Sequence, residues 1–232
     1  MEFIFEPEQP SALKVANSHQ QFAIRRVYCV GRNYAAHARE MGSDPTRESP
    51  FFFCKPADGV LCAGLDQTIG LDYPGQTKNF HHEVELVVAI GKTGANIPVG
   101  EASGHVWGYA VGLDMTRRDL QGQMKEGGKP WEIGKAFDQS APMGLLHPVS
   151  QTGLLDHAAI WLQVNGRDRQ RSDINQMTWS VAEIIAHLSR YFILQPGDLI
   201  MTGTPEGVGA VVSGDEIEAG IDQLGTLRVT IK

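Results

Sequence analysis

The chain has 232 residues, of which 42% are hydrophobic and 20% charged, with a formal net charge of −7. That length suits one domain, or one domain with a lobe, and can bury a core without disulfides. The acidic balance argues against nucleic acid and anionic membranes as partners, while a locally positive pocket leaves small anionic substrates open.

Cys29, Cys54 and Cys62 are odd in number and lack CxxC spacing. They argue against a disulfide framework and a thiolate zinc site, and for a reducing compartment. The opening MEFIFEPEQP has no basic region followed by an apolar run, and no stretch approaches the roughly 18 apolar residues of a membrane span. A cytoplasmic protein is expected.

Residues 6–20 read as a surface arm or a short hairpin. IRRVYCVG (24–31) is β-rich and runs into a turn at Gly31. NYAAHAREMG (33–42) suits a short helix, with Asn33 as its N-cap and Gly42 as its stop. FFFCKPADGV is a strand followed by a Pro/Asp/Gly turn, EVELVVAIG (83–91) a β-branched strand, and VWGYAVGLDMT (106–116) a further apolar run. Thr116, with Asp119 three residues on, resembles a capping box opening a helix that stops at Gly127 and Gly128. Asn165-Gly166 in WLQVNGRDRQ is a hairpin signal. SVAEIIAHLSRYF carries Ser180-x-x-Glu183 and an apolar stripe of Val181, Ile184, Ile185 and Leu188, a capped amphipathic helix. The remainder is short strands and glycine turns. Strands outnumber helices without alternating with them, which predicts an α+β, predominantly β architecture, largely antiparallel, with a few covering helices.

HHEVELVVAI (81–90) looks like a zinc-protease HExxH that lacks its last histidine. Val84, Val87, Val88 and Ile90 make it a strand instead, and on a strand Glu83 and Glu85 point the same way, roughly 6–7 Å apart. Leu86, Val88 and Val84 take the opposite phase and face the core. Two carboxylates aimed at one spot repel unless a cation lies between them. Asp114, where an apolar strand ends, offers a third oxygen. Such a hard, oxygen-rich set suits Mg²⁺ or Mn²⁺ better than zinc. Taken alone, an E-x-E pair more often lines a solvated strand face. His82 could orient a carboxylate from behind.

His37 and Glu40 share a face of the short helix, an imidazole–carboxylate pair able to activate water or simply a surface pair. Lys135 follows the turn-like PWEIG and could stabilise an enolate. TGTPEGVG (202–209) could offer backbone N–H groups and hydroxyls to an anion, or be a tight turn. No GxSxG occurs.

Taken together, VGRNYAAHARE (30–40), FFFCKPAD (51–58), HHEVELVVAIG (81–91), GYAVGLDMTRRDLQ (108–121), GKAFDQSAP (134–142), VNGRDRQ (164–170) and GDLIMTGTPEGVG (197–209) resemble the fumarylacetoacetate hydrolase family, in the family's order. The resemblance covers the chain from about Arg25, leaving residues 1–24 as an N-terminal arm before a domain of residues 25–232. It implies a mixed β-roll, a homodimer, and Mg²⁺ or Mn²⁺ held by Glu83, Glu85 and Asp114. It places a water-activating pair on His37 and Glu40, on a mobile lid segment, and the active-site lysine on Lys135. Arg118 and Gln121 match pocket residues, and Thr204 the hydroxyl that helps hold a substrate carboxylate.

Within the family, REMGSDPTRESPFFFCKPADG and MTRRDLQGQMKEGGKPWEIGKAFDQSAP are most similar to the bacterial branch acting on 3-fumarylpyruvate in gentisate breakdown. The activity implied is hydrolysis of a 2,4-diketo acid at a C–C bond, releasing fumarate and pyruvate. A second, distal carboxylate needs a cation, for which Arg32 and Arg117 are candidates by position. The same scaffold supports oxaloacetate decarboxylation or tautomerisation and isomerisation or decarboxylation in homoprotocatechuate breakdown. A non-catalytic module binding metal and oxo acid is the alternative of another class.

Overall fold

The strand Val84–Ile90 lies at the centre of the molecule, and all of its residues are buried. In the computed structural model, which describes residues 3–6, 8–40 and 48–232, it pairs antiparallel with Val106–Leu113 on one side and Asp198–Met201 on the other. A strand covered on both faces needs apolar residues in both phases, and the run of valines supplies them. Around it the main sheet runs in the order Phe51–Lys55, Arg26–Gly31, Asp198–Met201, Val84–Ile90, Val106–Leu113, Ala141–Met143, Val60–Cys62, with His147–Pro148 pairing beside Val106–Leu113.

A second sheet has the order Arg167–Asp173, Ala159–Val164, Glu216–Ile221, Gly225–Ile231, Thr68–Leu71. Leu86 and Val88 join Val111, Ile160, Leu162 and Ile217 in the larger core. The other phase, Val87 and Ala89, joins Val27, Cys29, Met143 and Met201 in a smaller one. Glu83 and Glu85 continue that second phase, so the smaller core forms the floor beneath them. Among the strands of the described residues three pairings are parallel: Arg26–Gly31 with Asp198–Met201, Ala141–Met143 with Val60–Cys62, and Gly225–Ile231 with Thr68–Leu71. The antiparallel pairings predominate, and the mixed, predominantly β class expected from the sequence holds.

Local chemistry explains several elements. Asn165 and Gly166 have φ of 51° and 72°, as a two-residue turn of type I′ requires. Ser180 and Glu183 form a reciprocal capping box at Val181–Leu188, whose Ile184, Ile185 and Leu188 are buried. The three cysteines are free. Among the described residues no helix is long and apolar enough to cross a membrane.

Of the two readings of the arm, the hairpin holds: Ala12–Lys14 pairs with Gln21–Ala23 and sinks Leu13 into the smaller core. Three other details differ from the sequence reading. Asn33 does not cap the helix Ala35–Glu40. Its side chain donates to the carbonyls of Trp179 (2.9 Å) and Thr202 (2.8 Å) and accepts from Trp179 N–H (2.7 Å), joining three segments. The expected stop at Gly42 lies outside the described residues. Thr116 does not open a helix either: Thr116–Arg117 pairs with Phe80–His82, the helix is Arg118–Glu126, and Asp119 accepts from Thr77 and from Lys78 N–H instead. Finally, PWEIG is not a simple turn, because Glu132–Lys135 forms one turn of helix.

Ser180→Ala should cost about 0.5–2 kcal/mol of stability, and Ile185→Ala about 2–5 kcal/mol, both read from urea unfolding. Equal losses would place the helix's hold in its cap rather than in its buried face.

Candidate functional site

Asp114 follows the strand Val106–Leu113, and its N–H donates to the carbonyl of Glu83 at 2.9 Å, so the two face each other across the sheet. Glu83 sits at the break between Phe80–His82 and Val84–Ile90, and Glu85 one residue into the latter. Glu83, Glu85 and Asp114 are only 4%, 2% and 1% exposed, which rules out a solvated strand face. Each presents a carboxylate oxygen within 4.8 Å of the others.

Cations reach this cluster unevenly. Lys135 Nζ lies 3.0 Å from Glu83 Oε2 and 2.6 Å from Asp114 Oδ2. Lys55 Nζ lies 2.8 Å from Asp114 Oδ1, and it also donates to the carbonyls of Met115 (3.2 Å) and Lys135. Arg118 pairs with Glu83 through Nη2 and donates to Gln121 Oε1 through Nη1 at 2.6 Å. Burial by itself would raise the Glu83 carboxyl, but Lys135 and Arg118 outweigh it and hold that group well below the usual range. Burial likewise opposes the charge on Lys135, yet Asp114 and Glu83 keep its ammonium above the ordinary value.

Glu85 is the exception. Its side chain accepts one recorded hydrogen bond, from Gly203 N–H at 2.8 Å. Burial, then the neighbouring Asp114 and Glu83, push its carboxyl well above the ordinary value. A buried acid flanked by two others, without a lysine of its own, is the signature of a place for one more positive charge. The donors are hard carboxylate oxygens, so a divalent Mg²⁺ or Mn²⁺ fits better than a softer metal. Lys55, Lys135 and Arg118 equal the three acids in number, although they pair only with Glu83 and Asp114. A dication would therefore make the cleft cationic within a chain of net charge −7.

The cleft over the cluster is lined by His37, Arg32, Arg118, Gln121, Lys135 and Thr204 as well as the three acids. His37 is buried, and its Nδ1 lies 3.3 Å from Glu40 Oε2. Glu40 in turn accepts from Gly207 N–H at 3.1 and 3.2 Å. Gly207 has φ of +89°, and a Cβ there would lie 2.0 Å from the Arg169 carbonyl oxygen, so only glycine permits this approach. The 202–209 loop thus holds the protein's own acids: its Gly203 and Gly207 amides go to Glu85 and Glu40, and Thr204 is its side chain in the cleft.

Arg32 has φ of 57° and stacks its guanidinium 5.5 Å from the Phe51 ring centroid. Arg117 does not line the cleft. It lies 4.4 Å over Phe137 and donates to the Ile133 carbonyl at 3.3 Å. His82 does not orient a carboxylate, because its Nδ1 meets Gln170 Oε1 at 3.1 Å. His81 supports Arg118 instead: burial, with the Arg118 charge beside it, lowers it to about 4. The neutral ring then accepts from Arg118 Nε at Nδ1 (3.4 Å) and donates to Asn79 at Nε2 (2.8 Å).

Three features escaped the sequence reading. Lys55 ends an apolar strand, a position where nothing marks a lysine as buried. Lys125 lines the cleft, and its spacing from Arg118 and Gln121 on one helix face was a usable signal. Phe51, Phe53 and Trp131 form an aromatic wall, with Phe51 and Trp131 edge to face at 5.5 Å.

Buried acids clustered for a divalent cation, beside an imidazole–carboxylate pair, have the layout of a metal-assisted enzyme. The family model described as "Fumarylacetoacetate (FAA) hydrolase C-terminal" matches residues 26–232. A crystal structure of fumarylpyruvate hydrolase from Pseudomonas aeruginosa, in complex with Mn²⁺ and pyruvate, is 63% identical, with a TM-score of 0.98 and 99% of each chain covered. Fumarylpyruvate hydrolase from Ralstonia sp is 43% identical over 81% of this chain and 95% of its own length. The mitochondrial oxaloacetate tautomerase FAHD1 of Mus musculus is 41% identical over 90% of this chain and 92% of its own. The chain belongs to the fumarylacetoacetate hydrolase family.

The raised Glu85 carboxyl means that the folded, metal-free protein binds a proton there more tightly than the unfolded chain does. Its effect on stability is therefore a loss as pH rises above the ordinary carboxylate range. Glu83, shifted the other way, contributes stability that is lost as pH falls below that range. In EDTA, Glu85→Gln should flatten the alkaline-side loss and raise the thermal midpoint at neutral pH. Added Mg²⁺ should stabilise the wild type and leave the variant unmoved. A variant that melts lower than wild type in EDTA would contradict the charge crowding.

Proposed function

We propose that the protein is a divalent-cation-dependent hydrolase that splits a C–C bond of a 2,4-diketo acid, with 3-fumarylpyruvate as substrate and fumarate and pyruvate as products. The observation that carries this reading is the His37–Glu40 pair sharing one cleft with the Glu83, Glu85 and Asp114 carboxylates. Likeness to the two fumarylpyruvate hydrolases, one of them holding Mn²⁺ and pyruvate, supports it. A pure binding module has no use for a base beside the cation site.

Glu83, Glu85 and Asp114 would hold Mg²⁺ or Mn²⁺, which when bound supplies electrophilic pull on the oxygens of a 2-oxo acid. Arg118, Gln121 and the Thr204 hydroxyl orient the pyruvoyl end. Glu40, fixed by Gly207 N–H, accepts from His37 Nδ1–H and leaves Nε2 as the base. His37 takes a proton from water as the oxygen adds to the C4 carbonyl. The C3–C4 bond then breaks, its electron pair passes to C3, and the returned proton completes pyruvate. Lys135, pinned beside Glu83 and Asp114, places an ammonium charge next to the developing enolate. Arg32 and Lys125, which both line the cleft, meet the distal carboxylate.

Residues 1–24 act in this reading as an arm on the catalytic domain, and the enzyme works as a cytoplasmic homodimer. Oxaloacetate tautomerisation is the second reading, favoured by the similarity to the mouse tautomerase. It needs the same 2-oxo acid grip and a proton-moving base but no attacking water. Loss of fumarylpyruvate absorbance with release of both acids decides for the hydrolase, and enol–keto conversion of oxaloacetate at the higher kcat/KM decides against it.

His37→Ala should lower kcat on fumarylpyruvate by about 10²–10⁴-fold while Mg²⁺ affinity by calorimetry stays near wild type. Unchanged turnover would remove the base from this position. Arg32→Ala and Lys125→Ala should each raise KM for fumarylpyruvate more than for a neutral acylpyruvate. Equal effects on both substrates would place the distal carboxylate elsewhere.

A further inference from the structure

The strand Arg167–Asp173 is exposed or half-exposed at every position except Gln170, which is 1% exposed. An irregularity between Leu162 and Gln163 of the neighbouring strand breaks the register just before Gln170, which still pairs with Leu162. A polar side chain is therefore the single one that this strand buries, where an apolar residue would pack at no cost.

All four hydrogen-bonding places of the carboxamide are filled. Oε1 accepts from Val84 N–H at 3.1 Å and faces His82 Nδ1 at 3.1 Å. Nε2 donates to Thr204 Oγ1 at 2.7 Å and to the Pro205 carbonyl at 2.9 Å. The orientation of the amide is not a matter of choice. A backbone N–H can only donate and a backbone carbonyl can only accept, so Val84 and Pro205 together fix which end is which.

One consequence falls on Thr204, which is 2% exposed and lines the cleft beside the three acids. Its oxygen receives a proton from Gln170, so its own hydroxyl proton must point elsewhere. Among the described residues no acceptor is recorded for it. We propose that Gln170 is a positioning residue that holds the Thr204 hydroxyl as a fixed hydrogen-bond donor into the cleft, selecting a ligand that presents an anionic oxygen there. The proposal rests on the proposed function for its ligand, the carboxylate of a 2-oxo acid, and on Gln170 alone for the direction of the proton. Without that amide the hydroxyl can turn to the Pro205 carbonyl or accept from a ligand, and the site loses its preference for an acceptor.

The test is a double-mutant cycle read by calorimetry of pyruvate binding to Mg²⁺-loaded protein, with thermal midpoints alongside. Thr204→Val should weaken pyruvate about tenfold or more, as loss of a hydrogen bond to a charged group does, and Thr204→Ser should keep most of the affinity. Gln170→Met should weaken pyruvate severalfold in the wild-type background and add nothing in the Thr204→Val background, because its whole effect passes through the hydroxyl. A Gln170→Met loss of the same size in both backgrounds overturns the proposal and makes Gln170 merely structural. Should Gln170→Met fail to fold, the side-chain amide resonance of Gln170 decides without it. Thr204→Val should shift that resonance in the ligand-free protein, and an unmoved resonance overturns the bond. A wild type that binds no pyruvate with Mg²⁺ defeats the proposed function instead, and the resonance still reports on the amide.

Discussion

Three carboxylates buried together repel each other, and most of the molecule's construction follows from keeping Glu83, Glu85 and Asp114 in that arrangement. Desolvation and like charge both penalise the ionised forms. Lys135 and Lys55, themselves buried, offset the penalty at Glu83 and Asp114, and Arg118 adds a third cation from the edge. The lysines are interlocked, since Lys55 donates to the backbone carbonyl of Lys135 while both reach Asp114. What this leaves unbalanced is Glu85. A fully neutralised cluster would be a more stable fold and a poorer cation site, so the crowding at Glu85 is where stability is traded for binding.

The acids are held by backbone that cannot give way. Val84–Ile90 is covered on both faces and paired on both edges, and the cross-strand bond from Asp114 N–H to Glu83 sets the spacing of the opposing side chains. Beyond the sheet, the 202–209 loop closes the site by reaching acids on separate elements. Gly203 is bound to Glu85 and Gly207 to Glu40, with Thr204 between them. A change in the loop's backbone would be felt at the acid cluster and at the His37–Glu40 pair together. Gln170 ties the same loop to the second sheet and to Val84. The two sheets therefore meet at the site through hydrogen bonds as well as through the shared apolar core.

The main sheet and the acids were legible in the sequence because both follow a period of two. Val84, Leu86 and Val88 face one core while Glu83 and Glu85 keep the other phase, and Asp114 marks the end of the adjacent apolar strand. Asn165-Gly166 and Ser180-x-x-Glu183 were legible because their signals are local. The failures came where a local signal met a tertiary competitor. Asn33 has the chemistry of an N-cap, but Trp179 and Thr202 offer its amide more partners than the short helix does. Thr116 and Asp119 have capping-box spacing, yet Thr116 is drawn into a strand pair and Asp119 into the Thr77–Lys78 turn. Lys55 and Gln170 were missed for one common reason. Burial of a polar residue depends on what arrives from distant parts of the chain, here Lys135 and Asp114 in one case and Thr204 and Pro205 in the other, and no periodicity in their own strands records it.

On the proposed reading, one scaffold can serve relatives with different named activities. The cation site with Lys135 and Thr204 would grip the feature shared by fumarylpyruvate, oxaloacetate and pyruvate: a carboxylate next to a carbonyl. That grip would acidify the neighbouring carbon and accept charge whichever bond changes next. Arg32, stacked on Phe51, and Lys125 would meet whatever lies beyond the third carbon. A short diacid and a long conjugated one place their second carboxylate at different distances from the cation, and only the longer one would bring a second carbonyl under His37. Which bond breaks would then be set by what reaches His37, and the His37–Glu40 pair need not differ between the activities.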